Sequence, residues 1–240
     1  MNKTILRPAI AMIELIFAIV IMGIVLMSAP MLISTAAKSG YVAIQQEAIN
    51  EAASQVNMIM GYHWDESNTN EDFIPPILIS GGDSELNEVN ISAEPTGRRS
   101  GTPEESYRTF LRADGQRLSA SNIVGHTLKD NIDDFNGDTS LIEIEDAGSI
   151  DYVQDAATIN INTTVRYIDD NSTYSSSSIT FSPDFITPGS TSSASSTNIK
   201  RITVTLTNKT GAPDELDKKI ILHAFSCNIG GYKLEEKDVN

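Results

Sequence analysis

Cysteine is nearly absent from this chain. Cys227 stands alone among 240 residues, so no intramolecular disulfide can form. Histidine is scarce too: His63, His126 and His223 lie far apart and give no zinc-ligand spacing. Basic residues are outnumbered, with 17 Lys and Arg against 32 Asp and Glu, a formal net charge of −15 and a pI near 4.5. A surface that acidic repels phosphate, which argues against direct nucleic-acid binding. Catalytic signatures are also missing. There is no Walker A loop, no Gly-x-Gly-x-x-Gly, no His-Glu-x-x-His and no Gly-x-Ser-x-Gly elbow. Cys227 with His223 four residues earlier reads as strand filler rather than a nucleophile and base. The expectation is therefore a non-enzymatic protein. With 40% hydrophobic residues the chain can still bury a core, which excludes wholesale disorder.

Charge is absent from one long run. Leu15 to Ala37 is 23 consecutive uncharged residues, LIFAIVIMGIVLMSAPMLISTAA. At about 1.5 Å per residue this crosses a bilayer core of roughly 30 Å. Lys3 and Arg7 precede the run and Lys38 follows it. Positive charge on the short N-terminal side predicts a cytoplasmic Met1 and an exported acidic bulk. A secretory signal peptide cut near Ser34 to Ala37 is the plainer alternative, but the run exceeds an ordinary signal core. Glu14, at the mouth of the run, marks a function in need of a positive partner. No Lys or Arg follows it before Lys38, so that partner comes from upstream or from another chain.

The stretch from Pro8 to Val25, PAIAMIELIFAIVIMGIV, resembles the prepilin-type cleavage and methylation motif of type IV pilins and type II secretion pseudopilins. The resemblance covers about residues 1–60. It implies a leader, residues 1–9, removed by a membrane prepilin peptidase between Ala9 and Ile10, and methylation of Ile10. It also implies an assembly role for Glu14, at the fifth mature position. Ala9 stands where the family prefers glycine, and Ile10 where phenylalanine or methionine is common. Gly23 and Pro30 fall at or within one residue of a family glycine and a family helix-kinking proline. The partners implied are the peptidase, other pilin or pseudopilin subunits, an inner-membrane assembly platform and membrane lipid. The location implied is a bacterial inner membrane, crossed once, or a filament drawn from it. A secreted binding domain, a permanent single-pass anchor and an exported enzyme are the competing classes.

Helical periodicity continues past the apolar run. Ile44, Ala48, Ala52, Val56 and Ile59 recur on one face while Gln and Glu fill the others, and Gly61 closes the pattern. Residues 10–37 and 38–60 thus read as the two halves of one helix of about fifty residues. A break at Pro30 or Ser39-Gly40 is the alternative. The exported head, 61–240, divides in two. Residues 61–140 are irregular and turn-rich, with an arginine cluster (Arg98, Arg99, Arg108, Arg112, Arg117) expected to be solvated or salt-bridged, a docking patch for an acidic neighbour subunit being the alternative. Residues 141–240 are β-rich. Ile159 to Tyr167 and Lys200–Thr207 alternate, Ile220–Phe225 is apolar, and Leu141–Ile144 and Ser178–Phe181 are weaker strands. Asn208–Asp217 is a hairpin connection, and the Ser/Thr-rich stretch between Asn171 and Asn198 an exposed excursion. The fold class expected is α+β and pilin-like, a long N-terminal helix under an antiparallel sheet.

One loop concentrates oxygen ligands. Asp130, Asp133, Asp134, Asn136 and Asp138 surround the turn-forming Asn136-Gly137, which makes the loop a candidate Ca²⁺ site. The EF-hand register fails, because it places Ile132 where a carboxylate is needed. No other cofactor is expected. His63-Trp64, just past the helix, reads as a packing anchor.

Overall fold

The computed structural model describes residues 7–70, 74–82, 88–99, 102–103, 108–143, 158–168, 195–208 and 217–231. Its first element is helix α1, Arg7–Met60, unbroken at both Pro30 and Ser39-Gly40. Pro30 has no N–H, so the Leu26 carbonyl lacks its usual helical donor. The Ser28 and Thr35 hydroxyls turn back onto the Val25 and Met31 carbonyls at 3.0 and 2.9 Å, which satisfies them without leaving the helix. The helix ends where the pattern placed its end. Gly61 N–H donates to the Met58 carbonyl at 3.0 Å, and Tyr62 N–H to that of Ile59 at 3.1 Å.

Among the described residues, four strands form an antiparallel meander, each paired with the next in chain order. They are β3 (Thr139–Glu143), β4 (Thr158–Ile168), β5 (Ile199–Asn208) and β6 (Ile220–Cys227). The sequence pattern located all four. The expected strand Ser178–Phe181 and most of the 208–217 connection lie outside the described residues. Register follows the alternation: Ile161 faces Leu206, Val165 faces Ile202, and Val204 faces Leu222. One face of the sheet therefore carries Ile159, Ile161, Val165, Tyr167, Ile202, Val204 and Leu206, all buried. Ala48, Ala52 and Ile59 of α1 pack against that face, with Ile44 and Val56 at its margins. The two alanines are completely or almost completely buried, at 0% and 2% exposure, because small side chains let helix and sheet approach closely.

Among its described residues, the segment between helix and sheet holds a hairpin and two short 3-10 turns, the first of them Glu66–Asn68. A hairpin joins β1 (Glu88–Ile91) to β2 (Glu94–Arg99). Its turn residues Ser92 and Ala93 both have left-handed backbones, φ 52° and 65°, as a two-residue hairpin with right-handed twist needs. Neither is the Asn or Gly that signals such a turn, so periodicity and turn chemistry missed it. A short 3-10 turn, Ile132–Phe135, is held by a capping box. The Asn131 side chain accepts from Asp133 N–H at 2.8 Å, and Asp134 Oδ2 accepts from Asn131 N–H at 3.2 Å.

Candidate functional site

Two regions carry chemistry: the free half of the helix and a knot of buried charge beside its far end. Along α1 every large apolar side chain from Met12 to Ile33 is exposed, and the most apolar window has no part buried. One long apolar N-terminal helix thus has the length and composition to span a membrane. Glu14 is exposed near its start. Among the described residues no basic group makes an ion pair with Glu14. Ala9 and Ile10 lie in the first turns of the helical backbone; Met1 to Leu6 lie outside the described residues. Gly23 and Gly40 have open space where a Cβ would stand, so nothing among the described residues requires glycine there.

The charged knot sits where α1, the 132–135 turn and β5 meet. Trp64 and Asp65 lie four and five residues past the helix end. Lys200 shares a face of β5 with Ile202, Val204 and Leu206, which sends its side chain into the core. Its ammonium donates to three acceptors: the Trp64 carbonyl at 2.7 Å, Asp65 Oδ2 at 2.9 Å and Asp133 Oδ2 at 2.7 Å. The Lys200 and Asp65 side chains are fully buried and that of Asp133 is 3% exposed. The Trp64 ring lies 4.0 Å and the Tyr167 ring 5.1 Å from Lys200 Nζ. A cation between two aromatic faces is stabilised by their quadrupoles once water is gone.

The two aspartates are held very differently. Asp65 accepts from Ser67 N–H and Ser121 N–H, each at 3.1 Å, as well as from Lys200. Tyr167 Oη lies 3.1 Å from Asp65 Oδ2 and 2.8 Å from the Ser121 carbonyl. Burial alone would raise the Asp65 carboxyl, but Lys200 and these N–H donors outweigh it and hold it below the usual range. Among the described residues, Asp133 has only Lys200 on Oδ2, and its buried Oδ1 has no hydrogen-bond partner. Burial pushes this carboxyl up against the pull of Lys200, with the Asp65 and Asp134 charges adding to the rise, to about 7. Burial, then the charges of Asp65 and Asp133, also raise the Tyr167 hydroxyl.

The acidic loop's side chains, the candidate calcium ligands, each meet another group of the chain. Asp133 is turned inward to Lys200. Asp134 accepts from Asp130 N–H at 3.0 Å and from Asn131 at its backbone and side chain, and lies 2.7 Å from His126 Nδ1. Burial raises the Asp134 carboxyl, but these donors outweigh it and depress it. Asn136 Oδ1 accepts from Val165 N–H at 3.1 Å, Asp138 lies 3.6 Å from Lys129 Nζ, and Asp130 Oδ1 accepts from Asn131 Nδ2 at 2.9 Å. The loop's acids cap and pin a turn. Among the described residues, the acids and histidines that do converge are Glu66, His126 and Asp134, with one ligand atom each within 4.8 Å of the others. Asp134 already spends both oxygens there on the capping box and on His126.

The arginine cluster is dispersed rather than pooled. Arg117 pairs with Glu88 and Arg112 with Asp114, Arg99 donates to Asn198 at 2.6 Å, and Arg98 to the Thr102 carbonyl at 3.2 Å. Trp64 is the anchor its position suggested, buried against Tyr167 with its indole N–H on the Ser226 carbonyl at 3.2 Å. His223 lies on the opposite face of the sheet, 3.1 Å from Thr203 Oγ1. Burial and the nearby Arg201 lower its pKa. Sequence reasoning missed the Lys200 knot, although the signal was present. A lysine in phase with Ile202, Val204 and Leu206 is placed on the core face by alternation alone.

Fold and site together define an α+β protein with one long helix, apolar and uncovered in its first half, and an antiparallel head built around buried charge. Comparison with family models, with curated proteins and with solved structures finds no match to this chain.

Proposed function

We propose that this chain is a pilin-like filament subunit, a pseudopilin or minor pilin of a type II secretion or type IV pilus system. The observation that carries the reading is the division of α1. Its second half is packed under the sheet, while its first half exposes an apolar surface from Met12 to Ile33 that the head leaves uncovered. Such a surface needs lipid or other helices around it. A filament subunit uses both in turn, lipid before assembly and a helical bundle after it. The leader-like residues 1–9 and Glu14 at the mouth of the run add to this reading.

The mechanism follows from the charges. Before processing, the helix anchors the chain in the inner membrane with the acidic head exported. Cleavage between Ala9 and Ile10 removes Lys3 and Arg7, leaving 15 − 32 = −17, and creates an α-amino group at Ile10. Within a bundle, an unpaired Glu14 carboxylate would cost several kcal/mol. The Ile10 amine of a neighbouring subunit supplies the missing cation and fixes the axial register. Glu14→Ala is therefore expected to insert normally and to be excluded from filaments; incorporation at the wild-type level would refute the pairing.

Processing itself tests the reading. Intact mass and N-terminal sequencing of the protein from its native membrane should find a start at methylated Ile10. A start near Lys38 would replace the proposal with a secreted domain, and an intact Met1 with a permanent anchor.

A further inference from the structure

We propose that the Lys200 knot is the site of a self-catalysed intramolecular amide bond between Lys200 Nζ and Asp133 Cγ, with Asp65 as the proton-transferring carboxylate. Geometry assigns the roles. Lys200 Nζ lies 2.7 Å from Asp133 Oδ2, so the nitrogen needs only to swing from that oxygen to the carbon bonded to it. Holding nucleophile and acyl carbon together in this way replaces an encounter with a unimolecular step. Asp133 is the more loosely held carboxyl: its Oδ1 is buried without a hydrogen-bond partner, and Lys200 on Oδ2, the oxygen that receives the proton and leaves, is the attacking group itself. Asp65 is not free. Both its oxygens are fixed by backbone N–H groups, and Oδ2 sits 2.9 Å from the same nitrogen, where a base must be. Trp64 and Tyr167 wall the site and keep bulk water from it.

The step balances without any co-reactant. A proton passes from the Lys200 ammonium to the Asp133 carboxylate, giving an amine and a carboxylic acid, the neutral forms that a dry site favours. An acid that keeps its proton up to about pH 7 is suited to this exchange. The nitrogen lone pair then attacks Cγ, and the C=O π pair moves onto oxygen. Asp65 takes a proton from the nitrogen, now cationic, and returns it to the departing hydroxyl. The C–O bond breaks, the carbonyl re-forms, and one water leaves. Asp65 ends as it began, and nothing is oxidised or reduced. The product joins residues 67 positions apart and ties β5 to the turn beside the helix end, where any pull on α1 enters the head.

This inference does not depend on the filament reading and is tested separately, on the full-length chain extracted in detergent. The intact mass should fall short of the mass expected for its termini by one water. After trypsin, cleavage at Lys200 should be lost, and the peptide beginning at Asp130 should be joined to the peptide ending at Arg201. A linear peptide uncut at Arg166 has the same mass, so fragmentation must place the join at Lys200 and Asp133. A full mass overturns the proposal, as does a water loss carried on a linear peptide with Lys200 cleaved normally. Lys200→Arg keeps the cation but not the nucleophile and should keep the full mass; a water loss there would also overturn it. Asp65→Asn should leave the two peptides separate, and wild-type linkage in that variant would remove Asp65 from its assigned role. Should Asp65→Asn fail to fold, the wild-type peptide map still decides whether the bond exists.

Discussion

Arginine substitutions in the apolar first half of α1 meet a threshold. From Met12 to Ala36 the helix rises about 37 Å at about 1.5 Å per residue, slightly more than a bilayer core of roughly 30 Å. Twelve Leu, Ile, Val and Phe side chains are exposed along it. At about 0.3–0.6 kcal/mol each near the helix centre, they favour insertion by about 5 kcal/mol together. One central arginine costs about 2.5–3.5 kcal/mol on the same scale. Val25→Arg should therefore leave about 2 kcal/mol, enough to keep more than about nine chains in ten inserted. Val20→Arg with Val25→Arg costs about 6 kcal/mol, which exceeds the gain and should release most of the protein. The assay is the fraction retained in membranes after alkaline extraction, with wild type and the two variants side by side. Retention of the double variant at the wild-type level would mean that lipid does not face this half of the helix. Loss of the single variant would mean that the apolar surface contributes far less than its exposure suggests.

Two further tests concern the head. Ala52 is completely buried between helix and sheet, so Ala52→Leu should overpack that contact. A loss of about 1–3 kcal/mol is expected in urea titration, and an unchanged midpoint would refute the docking of the helix's second half. Asp134 caps the 132–135 turn with a depressed carboxyl pKa, so its stabilisation is present above the ordinary value of 3.8 and is lost as pH falls through the lower folded value. Asp134→Asn should cost about 0.5–2 kcal/mol at pH 7, and its gap to wild type should close in acid. A gap independent of pH would show that the negative charge is not what stabilises the cap.

How much of this was legible beforehand depended on whether a signal was periodic. The Ile44–Ile59 stripe and the alternation in β4 and β5 repeat over many residues, and each has one burial solution, so helix and strands followed. The β1–β2 hairpin rests on two left-handed residues, Ser92 and Ala93, whose types do not favour that backbone. What holds them is the pairing around them, which no local pattern carries. Where the acidic loop's side chains point was hidden for a related reason. Five oxygen-bearing residues close in sequence suggested a cation, but Asp133 and Asp134 are adjacent on a tight turn and face different neighbours. One faces a lysine 67 residues away, the other its own backbone. Composition counts ligands; only the turn decides where they point.

The buried knot is hard to account for as a device for stability. Desolvating three charges is costly, and replacing such clusters by apolar side chains is often neutral or stabilising, whereas removing one member costs about 3–5 kcal/mol. This predicts a non-additive pair. Lys200→Met leaves Asp65 and Asp133 buried without a cation and should lose about that amount. Adding Asp133→Leu removes the carboxylate that has no other donor, while Asp65 keeps its two backbone N–H groups. The double variant should therefore be more stable than Lys200→Met alone in urea titration. Neither variant can form the proposed amide, so the comparison isolates the electrostatic cost. If the two substitutions simply add, Asp133 is not an uncompensated charge once Lys200 is gone, and the contrast drawn between the two aspartates fails. If the double variant recovers, the charges are retained for something other than stability, as a site of bond formation would require.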